Sequence, residues 1–281
     1  MPKTILITGS THGIGEAAAK ALAAQGHQVI IHGRSAARCQ EVIEQIKLQT
    51  GNANLTYIAA DLSAMSQVRQ LARQVKESLT RLDVLINNAG NFFLTHQITP
   101  DGFEMTWAVN HLSYFVLTLD LLDLLKASAP ARIVNVSSNS HFGARLDCDP
   151  LTGLEKRPYL SWKAYGRSKL ANVLFTYELH RRIDDLGITA NALHPGLVRT
   201  HIWDKFGFLS RWVIRFFLSN RSLTSEEGAH TSVYLAASPE VEGVSGKYFY
   251  RCQAVDSSRE SYNVNEARRL WEAGAQLINS E

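Results

Sequence analysis

The chain has 281 residues, of which 45 % are hydrophobic and 20 % are charged, and its formal net charge is +3. This composition excludes a disordered or fibrous chain, and so small a charge gives no reason to expect a nucleic-acid partner. Three scattered cysteines, without a CxxC pair, offer neither a disulfide framework nor a zinc-finger spacing. We expect a reduced, cytoplasmic protein, because neither a signal-peptide pattern nor a membrane-spanning apolar run is present.

Short apolar runs alternate with longer amphipathic segments along the chain. In chain order the predicted elements are strand 4–8, helix 16–25, strand 28–32, helix 36–48, strand 55–59, helix 65–79, strand 82–87, helix 103–126, strand 131–137, helix 164–186, strand 188–194, helix 226–237, strand 247–250 and helix 265–277. This alternation predicts an α/β fold, a doubly wound (Rossmann) parallel sheet of about seven strands with helices on both faces. We expect one domain over residues 1–281, with a substrate lid near 200–222.

The turn after the first strand, 8–15, reads TGSTHGIG. Gly9 allows a sharp turn, Gly13 lets the backbone approach a pyrophosphate, and Gly15 lets the helix pack closely on the strand. The free N–H groups of the following helix N-terminus favour phosphate. The turn therefore predicts a dinucleotide site.

The second strand is followed by His32, Gly33 and Arg34, and Arg38 lies one helical turn further on. An acidic residue here would bind the ribose hydroxyls of NAD, whereas a guanidinium suits the 2′-phosphate of NADP. We therefore predict NADP(H) as the cofactor; a solvated surface arginine is the alternative reading.

The pattern Tyr-x-x-x-Lys places both side chains on one helical face, where a lysine ammonium favours the tyrosinate form. It occurs twice, as Tyr159/Lys163 and as Tyr165/Lys169. The first tyrosine precedes Ser161, a suitable helix N-cap, so that pair need not share a face. We therefore favour Tyr165 and Lys169.

Together with the GxxxGxG turn, several segments resemble the short-chain dehydrogenase/reductase family over nearly the whole chain. They are the NNAG sequence at 87–90, the Ser137-Ser138 pair after the fifth strand, YGRSK at 165–169 and PGLVRT at 195–200. The resemblance implies that Ser138 binds the substrate oxygen, Tyr165 donates the proton and Lys169 holds the nicotinamide ribose. It also implies that Asn110 interrupts its helix and supports a proton-relay water.

The resemblance and the phosphate turn extend the candidate site beyond these four catalytic residues. The expected cofactor-binding residues are Gly9, Ser10, Thr11, His12, Gly13, Ile14, Gly15, Arg34, Arg38, Asp61, Leu62, Asn88, Ala89, Gly90, Tyr165, Lys169, Pro195, Gly196, Val198 and Thr200. The expected substrate-site residues are Ser138, Ser140, Phe142, Tyr159, Trp203 and Phe206. Ser140 is the alternative catalytic serine, His194 is interpreted as structural, and no metal-binding spacing is present.

Residues 202–218 are mostly apolar, with several aromatic side chains. Three interpretations remain open: a core-packed lid helix, a lid over a long apolar substrate, or an interfacial helix that touches membrane lipid. In this family the segment after PGxxxT covers the substrate, so the lid interpretations follow from the resemblance. Peripheral membrane contact is compatible with an apolar lid.

Four further segments, 168–175, 227–229, 245–249 and 267–271, resemble the retinol-dehydrogenase-like branch of the family. We therefore expect an NADP(H)-dependent oxidoreductase that interconverts an apolar, retinal-like aldehyde or ketone with its alcohol. The alternatives are a protochlorophyllide-reductase-like enzyme and a non-catalytic NADP(H) sensor on the same fold. Family members assemble through their two long helices, here 103–126 and 164–186, which implies a homodimer or homotetramer.

Overall fold

The computed structural model describes residues 1–155, 158–198 and 223–279. Its sheet contains eight strands in the order β3-β2-β1-β4-β5-β6-β7-β8. The strands are β1 (Thr4–Ile7), β2 (Gln28–Gly33), β3 (Leu55–Ala59), β4 (Val84–Asn87), β5 (Ala131–Val136), β6 (Ile188–His194), β7 (Tyr248–Tyr250) and β8 (Gln253–Val255). All pairs from β3 to β7 are parallel and β8 is antiparallel, so the predicted doubly wound fold is confirmed.

Helices cover both faces of this sheet. They are α1 (Gly13–Ala24), α2 (Ala36–Thr50), α3 (Met65–Ser78), α4 (Met105–Trp107), α5 (Ser113–Asp120), α6 (Leu122–Ala127), α7 (Ser161–Ile183), α8 (Ser225–Ala237) and α9 (Val264–Asn279). Among the described residues, none of the helices is both long and apolar enough to cross a membrane.

Two elements differ from the sequence prediction. The helix predicted over 103–126 is interrupted by a π turn at Ala108–Leu112 and again at Leu121. The eighth strand was not predicted, because β8 has only three residues and all of them are exposed. It follows β7 through a tight turn in which Arg251 (φ 50°) and Cys252 (φ 62°) adopt left-handed conformations.

The core lies in two layers on opposite sides of the sheet. In β1, Leu6 packs with the layer under α3, α5, α7 and α9, whereas Ile5 and Ile7 pack with the layer under α1, α2 and α8. Burial on both faces explains why the central strands are continuous apolar runs rather than alternating ones. The strand order reverses between β1 and β4, and ligand sites of such sheets lie at this point, beyond the carboxyl ends of the strands.

Helix α9 packs across the long helices on one face. Its Trp271 ring lies 5.2 Å from that of Phe115 and 5.9 Å from that of Phe175, and the Arg182 guanidinium lies 4.4 Å from the centre of the Trp271 ring. Part of the surface of α5 and α7 is therefore covered by the chain itself.

Candidate active site

A cleft of about 1160 Å³ opens at the carboxyl ends of β1, β4, β5 and β6. Most of the predicted cofactor residues line it: Gly9, Thr11, His12, Gly13, Ile14, Gly15, Arg34, Asp61, Leu62, Asn88, Ala89, Gly90, Tyr165, Lys169, Pro195, Gly196 and Val198. Ser138 and Ser140 line it as well. Thr200, Trp203 and Phe206, the lid near 200–222 and the segment 202–218 fall outside the described residues.

Close backbone contacts shape the floor of the cleft. Gly9 has a φ of +64°, and a Cβ on it would lie 2.8 Å from the Cα atom of Ala89. A Cβ on Gly15 would collide with the carbonyl oxygen of Gly9. The Asn88 side chain donates to the carbonyl oxygens of Thr8 and Gly9, at 2.8 and 3.1 Å. The turn is thus held against the end of β4, and α1 begins at the cleft, where its free N–H groups favour an anion.

Two predicted cofactor residues do not line the cleft. The buried Ser10 hydroxyl donates to the Ile7 carbonyl at 2.8 Å and accepts from the His32 N–H at 2.9 Å, so it stabilises the turn itself. The Arg38 guanidinium lies 3.1 Å from the Glu41 carboxylate and 3.6 Å from that of Glu16. The same guanidinium donates to the Thr11 carbonyl at 3.4 Å, so Arg38 contacts the turn from outside, and of the two arginines Arg34 alone lines the cleft.

Three of the predicted catalytic residues meet on the other side of the cleft. Tyr165 and Lys169 are four residues apart within α7, and Ser138 follows β5. Tyr165 hydrogen-bonds to Ser138. The Lys169 Nζ atom donates to the Val136 carbonyl at 3.0 Å and lies 5.7 Å from the centre of the Tyr165 ring. By contrast Tyr159 precedes α7, which begins at Ser161.

Burial controls the ionisation of this pair. It raises the pKa of Tyr165, although the hydrogen bond with Ser138 acts in the opposite direction. It also lowers the pKa of the deeply buried Lys169 to about 7. The Tyr-x-x-x-Lys spacing predicts that the lysine charge lowers the tyrosine pKa, whereas desolvation here disfavours both charged forms. Tyr165 is consequently a neutral phenol, which is a proton donor, at neutral pH.

Asn110 lies within the π turn, so the helix is interrupted at the residue that the resemblance indicated. Its side chain accepts from the Asn91 N–H at 2.8 Å and donates to the Asn91 carbonyl at 3.0 Å and to Ser168 Oγ at 3.1 Å. Its own carbonyl accepts a 2.9 Å hydrogen bond from the Asn172 side chain. Asn110 thereby joins the loop after β4 to α7, behind Lys169.

Two of the expected substrate residues do not line the cleft. The Tyr159 hydroxyl lies 3.1 Å from both Thr106 Oγ1 and the Phe93 carbonyl, and the Phe142 ring packs on His141 at 4.2 Å. Neither ring lines the cleft, although the Tyr159 hydroxyl contacts the backbone of Phe93, which does. An apolar wall is formed instead by residues that the motifs did not indicate: Phe92, Phe93, Met105 and Val109.

Sequence reasoning also missed residues that support the catalytic groups. Asn172 was not singled out, although it lies one helical turn after Lys169 and its spacing could have identified it. The buried Tyr114 hydroxyl donates to the Ala89 carbonyl at 2.7 Å, and the Lys169 Nζ atom lies 5.8 Å from its ring centre. No local motif marks Tyr114. Within the described ranges, the histidine, cysteine and acidic side chains form no cluster arranged for a metal ion.

A comparison with protein families identifies the architecture. The model of the short chain dehydrogenase family matches residues 3–207. The chain belongs to this family. As a short chain dehydrogenase it is an oxidoreductase whose cofactor is a nicotinamide dinucleotide.

The curated relatives place the chain in the retinol-dehydrogenase-like branch. Retinol dehydrogenase 13 of Homo sapiens is 40 % identical over 99 % of this chain and 85 % of its own length. Retinol dehydrogenase 14 of Mus musculus is 40 % identical over 98 % of this chain and 86 % of its own length. Polyprenol dehydrogenase of Homo sapiens is 37 % identical over 98 % of this chain and 84 % of its own length.

Solved structures share the fold. An uncharacterized protein from Mycobacterium paratuberculosis is 30 % identical, with a TM-score of 0.78, over 99 % of this chain and 93 % of its own. A short chain dehydrogenase from Burkholderia cenocepacia in complex with NADP is 28 % identical, with a TM-score of 0.70. That match covers 88 % of this chain and 95 % of the Burkholderia chain.

The residues of the cleft suit a nicotinamide dinucleotide. The glycine turn is a cradle that a Cβ at Gly9 or Gly15 would obstruct, and the α1 N-terminus adjoins it. Tyr165 and Lys169 lie at the opposite end of the same cleft. Gly9 and its neighbours would hold the pyrophosphate, and Lys169 would bind the nicotinamide ribose.

Proposed function

We propose that this chain is an NADP(H)-dependent oxidoreductase that interconverts an apolar aldehyde or ketone with its alcohol. The main support is the convergence of Ser138, Tyr165 and Lys169 in one cleft with the glycine turn. A non-catalytic cofactor-binding protein would have no use for this group of side chains.

Each side chain has a separate part in carbonyl reduction. The carbonyl carbon would receive a hydride from the nicotinamide cofactor when it is bound. Ser138 orients the carbonyl oxygen by hydrogen bonding, and the neutral Tyr165 phenol donates a proton to that oxygen. Lys169 would hold the nicotinamide ribose. Tyr165 would regain its proton from solvent through the relay water that Asn110 supports, and Asn110 also fixes the loop after β4 beside Lys169.

The surroundings of the adenosine end favour NADP over NAD. The sequence at the end of β2 is His32, Gly33 and Arg34, without the acidic residue that would bind ribose hydroxyls. Arg34 lines the cleft and is exposed, so its guanidinium is available for a 2′-phosphate. The Burkholderia relative binds NADP, which agrees with this assignment.

The substrate wall favours an apolar compound. Phe92, Phe93, Met105 and Val109 lie on the side of the cleft that also contains Tyr165. Relatives named for retinol and polyprenol act on long apolar alcohols, which supports the same class here. An apolar lid formed by 202–218, with peripheral membrane contact through it, remains part of the proposal.

Replacing the proton donor tests this proposal. Tyr165→Phe removes the phenol hydroxyl and keeps the ring, so we expect carbonyl reduction to fall by about 10²- to 10⁴-fold. NADPH binding, measured by its fluorescence, should change little. Tyr159→Phe is the matched control, since this tyrosine lies outside the cleft lining, and it should retain most activity. Wild-type turnover in Tyr165→Phe would refute the assignment.

A further inference from the structure

The peptide group that links Ser138 to Asn139 is bound at both ends by histidines. The Ser138 carbonyl oxygen lies 2.6 Å from the Nδ1 atom of His141. The Asn139 N–H donates to the Nδ1 atom of His194 at 3.1 Å. His141 lies in the short helical turn after β5, and His194 is the last residue of β6. One peptide unit is thus bound from two separate elements.

The hydrogen bonds define the tautomer of each ring. The His141 Nε2 atom accepts from the Ser258 N–H at 3.0 Å, so the ring proton is on Nδ1 and is donated to Ser138. The His194 Nδ1 atom is an acceptor, so its ring proton is on Nε2. The two histidines therefore have opposite neutral tautomers.

The environment of the pair favours these neutral forms. His141 is fully buried, the Tyr248 ring centre lies 4.8 Å from its own, and the Tyr248 hydroxyl is 3.5 Å from Nδ1. Burial lowers the pKa of His141, whereas the Ser138 carbonyl and the Glu260 carboxylate act in the opposite direction.

The His194 ring stacks on the Tyr250 ring at 5.1 Å. Burial, followed by repulsion from His141, lowers the pKa of His194 to about 4. At neutral pH each ring therefore keeps the lone pair that its hydrogen bond requires.

We propose that His141 and His194 are positioning residues, which hold the peptide after Ser138 so that the serine hydroxyl faces Tyr165. This inference rests on the proposed function, in which Ser138 orients the carbonyl. The bond from Ser258 to His141 also ties the Ser138 turn to the segment before α9. His194 also lines the cleft, whereas His141 does not. Both rings contact the serine turn at its peptide group, so we assign their effect to the backbone.

Asparagine and glutamine variants separate hydrogen bonding from packing. Asparagine places a polar atom where His has Nδ1, and glutamine places one near the Nε2 position. His141→Asn and His194→Asn should therefore retain kcat within about fivefold of wild type. His141→Gln and His194→Gln should lose about 10- to 100-fold in kcat, because a small displacement of a reacting group is costly.

The KM for NADPH should remain within about threefold of the wild-type value in all four variants. His230→Ala, at an exposed position, is the matched control and should leave kcat unchanged. Equal losses in the Asn and Gln variants would assign the histidines to packing and overturn the proposal.

Nitrogen-15 NMR of histidine-labelled protein tests the arrangement without turnover. At pH 7 we expect a neutral Nδ1–H ring for His141 and a neutral Nε2–H ring for His194, assigned by their loss in the Gln variants. A charged ring, or the same tautomer at both positions, would overturn the inference. A wild-type protein that reduces no carbonyl would instead refute the proposed function, and the NMR result would still decide whether the peptide is held as described.

Discussion

At the scale of single residues, the proposed chemistry of the cleft requires the Lys169 amine to be buried beside the Tyr165 phenol. The Lys169 Nζ atom donates to the Val136 carbonyl, and burial lowers the pKa of Lys169 to about 7. The unfolded chain has an ordinary lysine pKa near 10.5. The folded state therefore disfavours the ammonium ion. Burying Lys169 lowers the free energy of unfolding, and the residue is kept because the proposed chemistry requires it.

Lys169→Met should make the protein more stable and inactive. Below about pH 7 both folded and unfolded Lys169 are protonated, so the cost of burying the ammonium is fully present. That cost declines as the pH rises from 7 towards 10.5. We expect a gain in unfolding free energy on the order of 1 kcal/mol at pH 7, partly offset by the lost hydrogen bond, and a smaller gain at pH 10. Urea denaturation of both proteins at pH 7 and at pH 10 measures this gain. A gain over wild type that is smaller at pH 7 than at pH 10 would contradict the prediction.

The two arginines after β2 should differ in their effect on the cofactor. Arg34→Ser removes the guanidinium that lines the cleft, so we expect the KM for NADPH to rise about 10- to 100-fold with little change for NADH. Arg38→Ser is the matched control, since this guanidinium contacts Glu16, Glu41 and the Thr11 carbonyl but does not line the cleft. Steady-state kinetics with both cofactors measures the effect. A larger rise in the KM for NADPH from Arg38→Ser than from Arg34→Ser would show that Arg38, and not Arg34, binds the 2′-phosphate.

At the scale of elements, short sequence patterns predicted those features that depend only on neighbouring residues. The glycine turn, the buried strands and the Tyr165/Lys169 spacing each depend on short-range rules, and they could be predicted. The π turn was indicated at Asn110 by the family resemblance alone and by no local pattern, because there the Asn110 carbonyl pairs with Asn172, 62 residues away in the chain. The orientation of Tyr159 depends likewise on its distant partner Thr106.

Helix α9 is an element whose role is in packing. Trp271→Ala should cost about 1 to 3 kcal/mol of unfolding free energy, because the half-buried indole packs on Phe115 and Phe175. Trp162→Ala is the matched control, since that side chain is 63 % exposed and its loss should cost less than about 0.5 kcal/mol. Chemical denaturation compares the two. Similar losses in both variants would show that α9 contributes little.

At the scale of the whole molecule, the dinucleotide-binding end and the reacting end of the cleft lie on either side of the point where the strand order reverses. Residues after β1 and β2 form the dinucleotide end, and residues after β4 and β5, together with residues of α7, complete the reacting end. This arrangement could be predicted because parallel strands bring their carboxyl ends to one edge. The apolar wall could not, since Phe92 and Phe93 lie in the loop after β4, and Met105 begins the three-residue helix α4, and no periodicity indicates that they meet.

Turnover with a panel of carbonyl compounds tests the central claim most directly. The absorbance of NADPH and of NADH is followed with retinal and other long aldehydes, and with short sugars for comparison. The proposed function predicts that NADPH is consumed with the long apolar aldehydes and that NADH and the sugars support little or no reaction. A preference for NADH, or no oxidation of NADPH with any carbonyl, would contradict it.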